Sequence, residues 1–447
     1  MNNRNGHISH SAFMRQAVVL LVLAGTACFS ARADGLRESE RRNAYAMLQG
    51  VHTAIARSYF DANYKGLNLD ALADVAKSRI AKADSVADAL AAIAQFELEL
   101  DDLHTTFMPP WLTISVDYGW AMGMVGNDCY VIHLDPKSDA ARQGVAIGDK
   151  VKSVNGFVPA RANLWQLNYL FNDLHPLPGL HVELTSPAGQ TRTLDLAGKV
   201  HQQGSFLDLS MTSDGMDRSR FEQEADKYWM QLKPVTVRSV PDVLLIRMPS
   251  FLMSAGEVKR QFHEMHDRVV LILDLRGNGG GEVEALDELL GEIFSDNLNL
   301  ATRQARGKSD PWVINGTGKN AYSGRVLVLV DAQSASASEL FARAMQLTDR
   351  GTVIGDQTMG AVMEAKRLPY ALSNGENVIV YGTSVTVADI VMSDGGHLEK
   401  TGVTPDFVVL PSADDLNAGR DPALAQALSF AGHPMDATAA AKLFSNH

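Results

Sequence analysis

Three apolar runs constrain the fold of this chain more than any other feature. They are Val243-Leu-Leu-Ile-Arg-Met248, Val269-Val-Leu-Ile-Leu-Asp-Leu275 and Arg325-Val-Leu-Val-Leu-Val330. Runs rich in valine and leucine, with almost no polar alternation, suit strands buried on both faces, as in a parallel sheet. A helical pattern follows each of them. Glu257 to Arg268 follows the first run and Glu282 to Phe294 the second; after the third, Leu340, Phe341, Ala344 and Met345 share one face. Alternating strands and helices predict an α/β core with parallel pairs and its chemistry at the C-terminal ends of the strands.

Two turns fall at that edge. The second run enters Arg276-Gly-Asn-Gly-Gly-Gly281, and the third enters Asp331-Ala-Gln-Ser-Ala-Ser-Ala-Ser-Glu339. The glycine turn lacks the Lys-Ser/Thr pair of a P-loop and the Gly-x-Gly-x-x-Gly spacing, which argues against phosphate binding. Its bare amides suit a substrate carbonyl instead. A serine between strand and helix lies beside free amides and the positive end of the helix dipole, where a nucleophile and an oxyanion site are readily built. Serines in this position are also ordinary caps, and Ser338-Glu339 taken alone reads equally as one.

The N-terminus carries Arg4 and Arg15, an apolar run from Ala17 to Ala27, and Ala31-Arg-Ala33. This is the pattern of a secretory signal peptide cut after Ala33, and the run is too short to span a bilayer. A lipoprotein anchor at Cys28 is the weaker reading, because Gly25 stands where a larger aliphatic residue is usual. The expected location is periplasmic or secreted, with no integral membrane segment after cleavage. Losing Arg4, Arg15 and Arg32 from 40 basic residues leaves 37 against 52 acidic ones. So acidic a balance argues against a nucleic-acid partner. One cysteine, Cys129, remains, so no internal disulfide is available. Histidine and cysteine are not grouped at metal-ligand spacing, and neither metal nor cofactor is expected.

Along the chain, residues 34–115 read as a helical domain, in which Val86, Leu90, Ile93, Phe96 and Leu100 form one apolar stripe. It ends in a polar loop, Asp101-Asp-Leu-His104; a lone loop histidine is usually inert. Residues 116–200 form a separate β unit. Its order is a strand at Cys129–Leu134, a short helix closed by Gly144, a strand ending at Asn155-Gly156, and a hairpin around Pro187-Ala-Gly189. Residues 201–240 read as a connector, 241–430 as the α/β core and 431–447 as a tail.

The β unit resembles a PDZ domain of the bacterial, circularly permuted kind. That resemblance implies capture of an extended peptide, often a free C-terminus, by strand addition, with a binding loop at Gly119, Trp120, Ala121 and Met122. The alternative for Trp120 and Met122 is plain core. The ensemble resembles the carboxy-terminal processing (tail-specific) family of serine peptidases. The matching pieces run in family order: Tyr59-Phe-Asp-Ala-Asn-Tyr64, Asp102-Leu-His-Thr105, the PDZ-like unit, Asp274-Leu-Arg-Gly-Asn-Gly-Gly-Gly281, Ser334-Ala-Ser-Ala-Ser-Glu339, Val353-Ile-Gly-Asp-Gln-Thr358 and Gly402-Val-Thr-Pro-Asp406. It implies a nucleophile at Ser336, with the amides of Gly280 and Ala337 as oxyanion donors. One departure stands out. Family members with a Ser-Lys dyad carry the lysine where this chain has Ala361. A second, tricorn-like branch uses a histidine and a glutamate, which correspond here to His104 and Glu399. His104 would take the Ser336 proton and Glu399 would orient the imidazole. Lys366 and His397 are the other bases within the same region. The expectation is an endopeptidase acting on protein or peptide tails; the alternative, motivated by Ala361, is an inactive PDZ-containing peptide-binding or scaffolding protein.

Overall fold

The structure, a computed structural model, describes residues 36–110, 114–202, 235–373 and 378–444. The leader expected at 1–33 and most of the connector expected at 201–240 lie outside these residues.

Helices α1 (Glu38–Ser58), α2 (Leu69–Lys82) and α3 (Val86–Leu98) make the N-terminal unit. Asn68 and Ser85 cap α2 and α3 with their side chains, each satisfying a helix-end amide. The apolar stripe read from the sequence is buried: Leu90, Ile93, Phe96 and Leu100 join one core with Leu48, Val51 and Ile55 of α1. Val86 is the exception, 42% exposed at the first turn. The chain then enters a short strand, β1 (Thr106–Met108).

The second unit hangs on a two-stranded ribbon of β2 (Ile114–Asp117) and β8 (Lys199–Gln202). Between them lie β3 (Trp120–Val125), β4 (Asp128–Leu134), helix α4 (Asp139–Arg142), β5 (Lys150–Val154), helix α5 (Leu164–Tyr169), β6 (Gly179–Thr185) and β7 (Thr191–Ala197). The five strands form one sheet in chain order, so β3 is an edge strand.

The core opens with β9 (Thr236–Val240), inside the segment read as connector, which pairs antiparallel with β10 (Val243–Arg247). Helix α6 (Ala255–Phe262), β11 (Val270–Asp274), helix α7 (Val283–Ile293), a hairpin of β12 (Leu298–Ala305) and β13 (Lys308–Ile314), β14 (Arg325–Val330), helix α8 (Ala337–Leu347) and β15 (Gly351–Gly355) follow. A long hairpin, β16 (Met363–Ser373) and β17 (Val378–Met392), leads to β18 (Phe407–Val408) and to helices α9 (Ala413–Asn417), α10 (Pro422–Phe430) and α11 (Ala437–Lys442). The main sheet has the order β18-β15-β14-β11-β10-β9 and is parallel throughout except at β9.

The three apolar runs are its central strands, and their composition follows from burial on both faces. Leu244 and Ile246 face α6, α7 and α8, while Val243 and Leu245 face α10 and α11. Each such side chain contributes about 1.5–3 kcal/mol by leaving water. The second sheet, β1-β17-β12-β13 with β16 on β17, joins the N-terminal unit to the core: β1 pairs with β17 from Thr106↔Ser384 to Met108↔Gly382.

Candidate active site

The register of β10, β11 and β14 aligns Arg247, Asp274 and Leu329, so the segments leaving these strands emerge at one sheet edge. Both predicted turns are there. The three serines of the second turn have different environments. Ser334 is fully buried and its hydroxyl donates to the Leu275 carbonyl at 2.8 Å. Ser338 is fully buried and donates to the Asn278 carbonyl at 3.0 Å. These two fasten the serine turn to the glycine turn. Ser336 lies between them, half-buried, at φ 54° and ψ −117°. A non-glycine residue in that region costs on the order of 1–3 kcal/mol and persists only where its surroundings enforce it. Here the enforcement is visible: the Ser336 amide donates to the Ala361 carbonyl at 2.9 Å and to Glu339 Oε2 at 3.0 Å.

Gly280 packs directly on this serine. A Cβ at position 280 would lie 2.6 Å from Ser336 Cβ and 3.1 Å from the Ala337 nitrogen, so only glycine fits. The structure thus brings Ser336, Ala337 and Gly280 together. The Gly280 amide is engaged, donating to Asn278 Oδ1 at 2.8 Å. Asn278 is itself fully buried, with its Nδ2 on the Met248 carbonyl at 2.8 Å.

Ala361, which stands where the resemblance leads one to expect a dyad lysine, is 5% exposed and accepts from the Ser336 amide through its carbonyl. Glu339 holds this loop. Its carboxylate is fully buried and accepts from the Ser336, Gly360 and Ala361 amides and from Thr358 Oγ1. Burial pushes its pKa up, and the four donors oppose that. Lys366 is exposed on β16, in register with Val385. His397 is also exposed, 3.3 Å from Asp389. Neither makes a hydrogen bond to the serine turn among the described residues.

Glu399 is half-buried, and its two oxygens take the Leu103 amide at 3.3 Å and the Val362 amide at 2.9 Å. It therefore links the residue before His104 to the residue after Ala361, whose carbonyl holds Ser336. Ser336, the histidine loop and Glu399 are thus linked through the Ala361–Val362 backbone by three hydrogen bonds. Burial raises the Glu399 carboxyl to about 7, against the pull of those two amides. Among the described residues His104 Nδ1 is buried without a partner, so Glu399 does not grip it in this conformation. Burial lowers the His104 pKa, and the neighbouring Asp102 charge works against that.

In the second unit, Gly119 precedes β3 at φ +67°. Trp120 and Met122 pack against the unit's core, and Ala121 is exposed. Sequence reasoning assigned no role to Asp102, Asn278 or Glu339. All three belong to the quoted motifs, but what they hold depends on partners distant in the chain. Among the described residues there is no metal-ligating cluster of acids, histidines and cysteine, and no helix long and apolar enough to cross a membrane.

Comparison with known proteins agrees with this geometry. The profile of Peptidase family S41 matches residues 242–409. The chain is 28% identical over 213 residues to a tail-specific protease of Haemophilus influenzae, covering 46% of this chain and 29% of that one. It is 30% identical to a carboxyl-terminal-processing protease of Synechocystis, covering 37% of each. A longer match, to the chloroplastic C-terminal processing peptidase of Tetradesmus obliquus, is 24% identical over 80% of this chain and 75% of that one. The first two matches thus span well under half of those relatives' lengths. Among solved structures, mature CPAF complexed with lactacystin superposes with a TM-score of 0.61 at 16% identity, over 85% of this chain and 96% of that one. The photosystem II D1 C-terminal processing protease gives 0.51 at 21% identity, over 83% and 94%. At these identities the superpositions establish the fold. Residues 242–409 therefore resemble the core of Peptidase family S41, and the curated relatives this chain matches are tail-specific and carboxyl-terminal-processing proteases.

Proposed function

We propose that this protein is a serine endopeptidase of the cell envelope that cleaves protein tails by acyl-enzyme chemistry, with Ser336 as nucleophile and His104 as base. The observation that carries this reading is the contrast among the three serines: two are buried and bound to the glycine turn, and the middle one is strained, half-buried and tied to the His104 loop through Ala361, Val362 and Glu399. Without a lysine at 361, the histidine loop supplies the base. His104 takes the Ser336 proton as the hydroxyl attacks the scissile carbonyl and returns it to the leaving amine. The Ala337 amide, first in helix α8, faces the developing oxyanion, and the Gly280 amide joins it once the substrate oxygen replaces Asn278 Oδ1. Glu399 turns from the two backbone amides toward His104 Nδ1 to complete the triad.

The β unit reads as PDZ-like. Its edge strand β3 has one side unpaired within its sheet, and Gly119 to Met122 form the loop and strand start where an incoming tail adds. The predicted leader places the enzyme in the periplasm or outside the cell. Cleavage of a reporter protein with an exposed apolar C-terminal tail tests this. The mature wild type cleaves it, and Ser336→Ala and His104→Ala each lose at least ~10³-fold in kcat. Normal cleavage by His104→Ala sinks the proposed mechanism. Tail binding without cleavage by any form favours the peptide-binding alternative, which draws on Ala361 and on the unpartnered His104 Nδ1.

A further inference from the structure

Asp102 is the most fully engaged acid beside the proposed base, and the mechanism above gives it nothing to do. Its side chain is buried. Oδ1 accepts from the His104 amide at 3.1 Å, the Thr105 amide at 2.6 Å and Thr386 Oγ1 at 2.8 Å. Oδ2 accepts from the Tyr59 hydroxyl at 2.8 Å, with Lys65 Nζ 3.9 Å away. Its two oxygens thus take four donors between them. Glu399, the expected orienting acid, spends both oxygens on the Leu103 and Val362 amides instead.

We propose, resting on the reading of His104 as the base, that Asp102 is a positioning residue that fixes the His104 loop through its backbone amides and places a carboxylate beside the base. Tyr59 and Thr386 hold Asp102 in place. Tyr59 comes from the end of α1 and Thr386 from β17, so the charge is set by two units at once. Several charged groups face this loop. Asp101, next in sequence, pairs with Lys400. Lys65 donates to the Leu100 and Asp101 carbonyls. Glu97 of α3 is fully buried and held toward its neutral form by that burial. Glu399 approaches from beyond β17. Asp102 is the one among them that contacts the backbone of His104 itself.

Asp102→Asn keeps an oxygen for the loop amides and removes the charge. The imidazole is followed by ¹³Cε1-histidine NMR on the mature protein, with the His104 signal assigned by its loss in His104→Ala. The Asp102→Asn titration midpoint is expected to fall by at least about half a pH unit, with a smaller change in Glu399→Gln. In the same variant kcat falls at least ~10-fold while KM stays within about threefold. A midpoint unchanged in Asp102→Asn overturns the inference, because a merely structural acid would not move it. Where Asp102→Asn does not fold, Tyr59→Phe replaces it: losing one donor leaves the Asp102 charge less compensated and raises the midpoint, and an unmoved midpoint overturns the inference equally. Normal cleavage by His104→Ala would sink the base assignment. An unshifted midpoint with His104→Ala inactive would sink only the role of Asp102.

Discussion

At the scale of single residues, the site is a set of buried acids with different partners. Glu399 titrates near 7 because burial outweighs two backbone donors. The raised value has a consequence for stability. Between the ordinary carboxyl range and about 7, the folded protein binds a proton that the unfolded chain does not, so this residue makes stability fall as pH rises through that window. The effect is on the order of 3 kcal/mol across the window. Glu399→Gln removes it, so the unfolding free energy of the variant should gain on that of wild type between pH 5 and pH 8, whatever its baseline. Parallel slopes in a denaturant titration series would contradict the burial account. Ser336, Gly280 and Ala337 could be picked out in the sequence because they lie in the serine and glycine turns at strand ends, whereas His104 and Glu399 rested on the family resemblance. Their supports could not be picked out. Asp102 lies two positions before His104, but two of its four donors are Tyr59 and Thr386, and only the fold brings those to it.

At the scale of elements, the strand-turn-helix unit β14–α8 and the loop 358–361 form one assembly around Glu339. Its carboxylate satisfies the buried Gly360 and Ala361 amides and the Thr358 hydroxyl, and shares the Ser336 amide with the Ala361 carbonyl. Glu339→Ala should cost on the order of 3 kcal/mol, because buried donors lose their acceptor. It should also reduce kcat more than KM, since the Ser336 backbone loses one of its two restraints. Chemical denaturation with steady-state kinetics checks both, and a neutral variant would refute this role. The sequence showed the element order here well: the helix at 283–293 falls within a residue of its predicted bounds, whereas the one predicted over 257–268 ends at Phe262, where a 3-10 turn over 263–267 takes over. It showed less of β17, whose fifteen residues pair with β1, β12 and β16 in one sheet. Its polar and small residues alternate too irregularly for periodicity to reveal three partners. The strand β9 was hidden for a similar reason: Thr236 to Val240 is half polar, as an outer strand can be.

At the scale of the whole molecule, three units converge on the same loops. The N-terminal helices reach the core through β1 and Asp102, and the β unit docks beside the serine turn. Arg161 makes that docking specific: its guanidinium reaches the Gly126 carbonyl at 2.7 Å, the Gln357 carbonyl at 2.8 Å and Asp356 Oδ2 at 2.7 Å. Asp356 also accepts from the Gly126 amide at 2.7 Å. Arg161→Ala should cost about 1.5–3 kcal/mol at this junction. It should also speed hydrogen exchange at the Gly126 amide, and unchanged protection there would show that the junction is held elsewhere. On the proposed reading, the docked β unit, the histidine loop and the strained serine together form a peptidase site without a dyad lysine. The most direct test is the rate at which a fluorophosphonate labels Ser336 in the mature protein, measured against pH beside His104→Ala and Lys366→Ala. Wild type and Lys366→Ala should label alike, with a rate that rises through a midpoint below the usual histidine value of about 6.5, and His104→Ala should label at least ~100-fold more slowly. Labelling of His104→Ala at the wild-type rate, or its loss in Lys366→Ala, would contradict the histidine-based site.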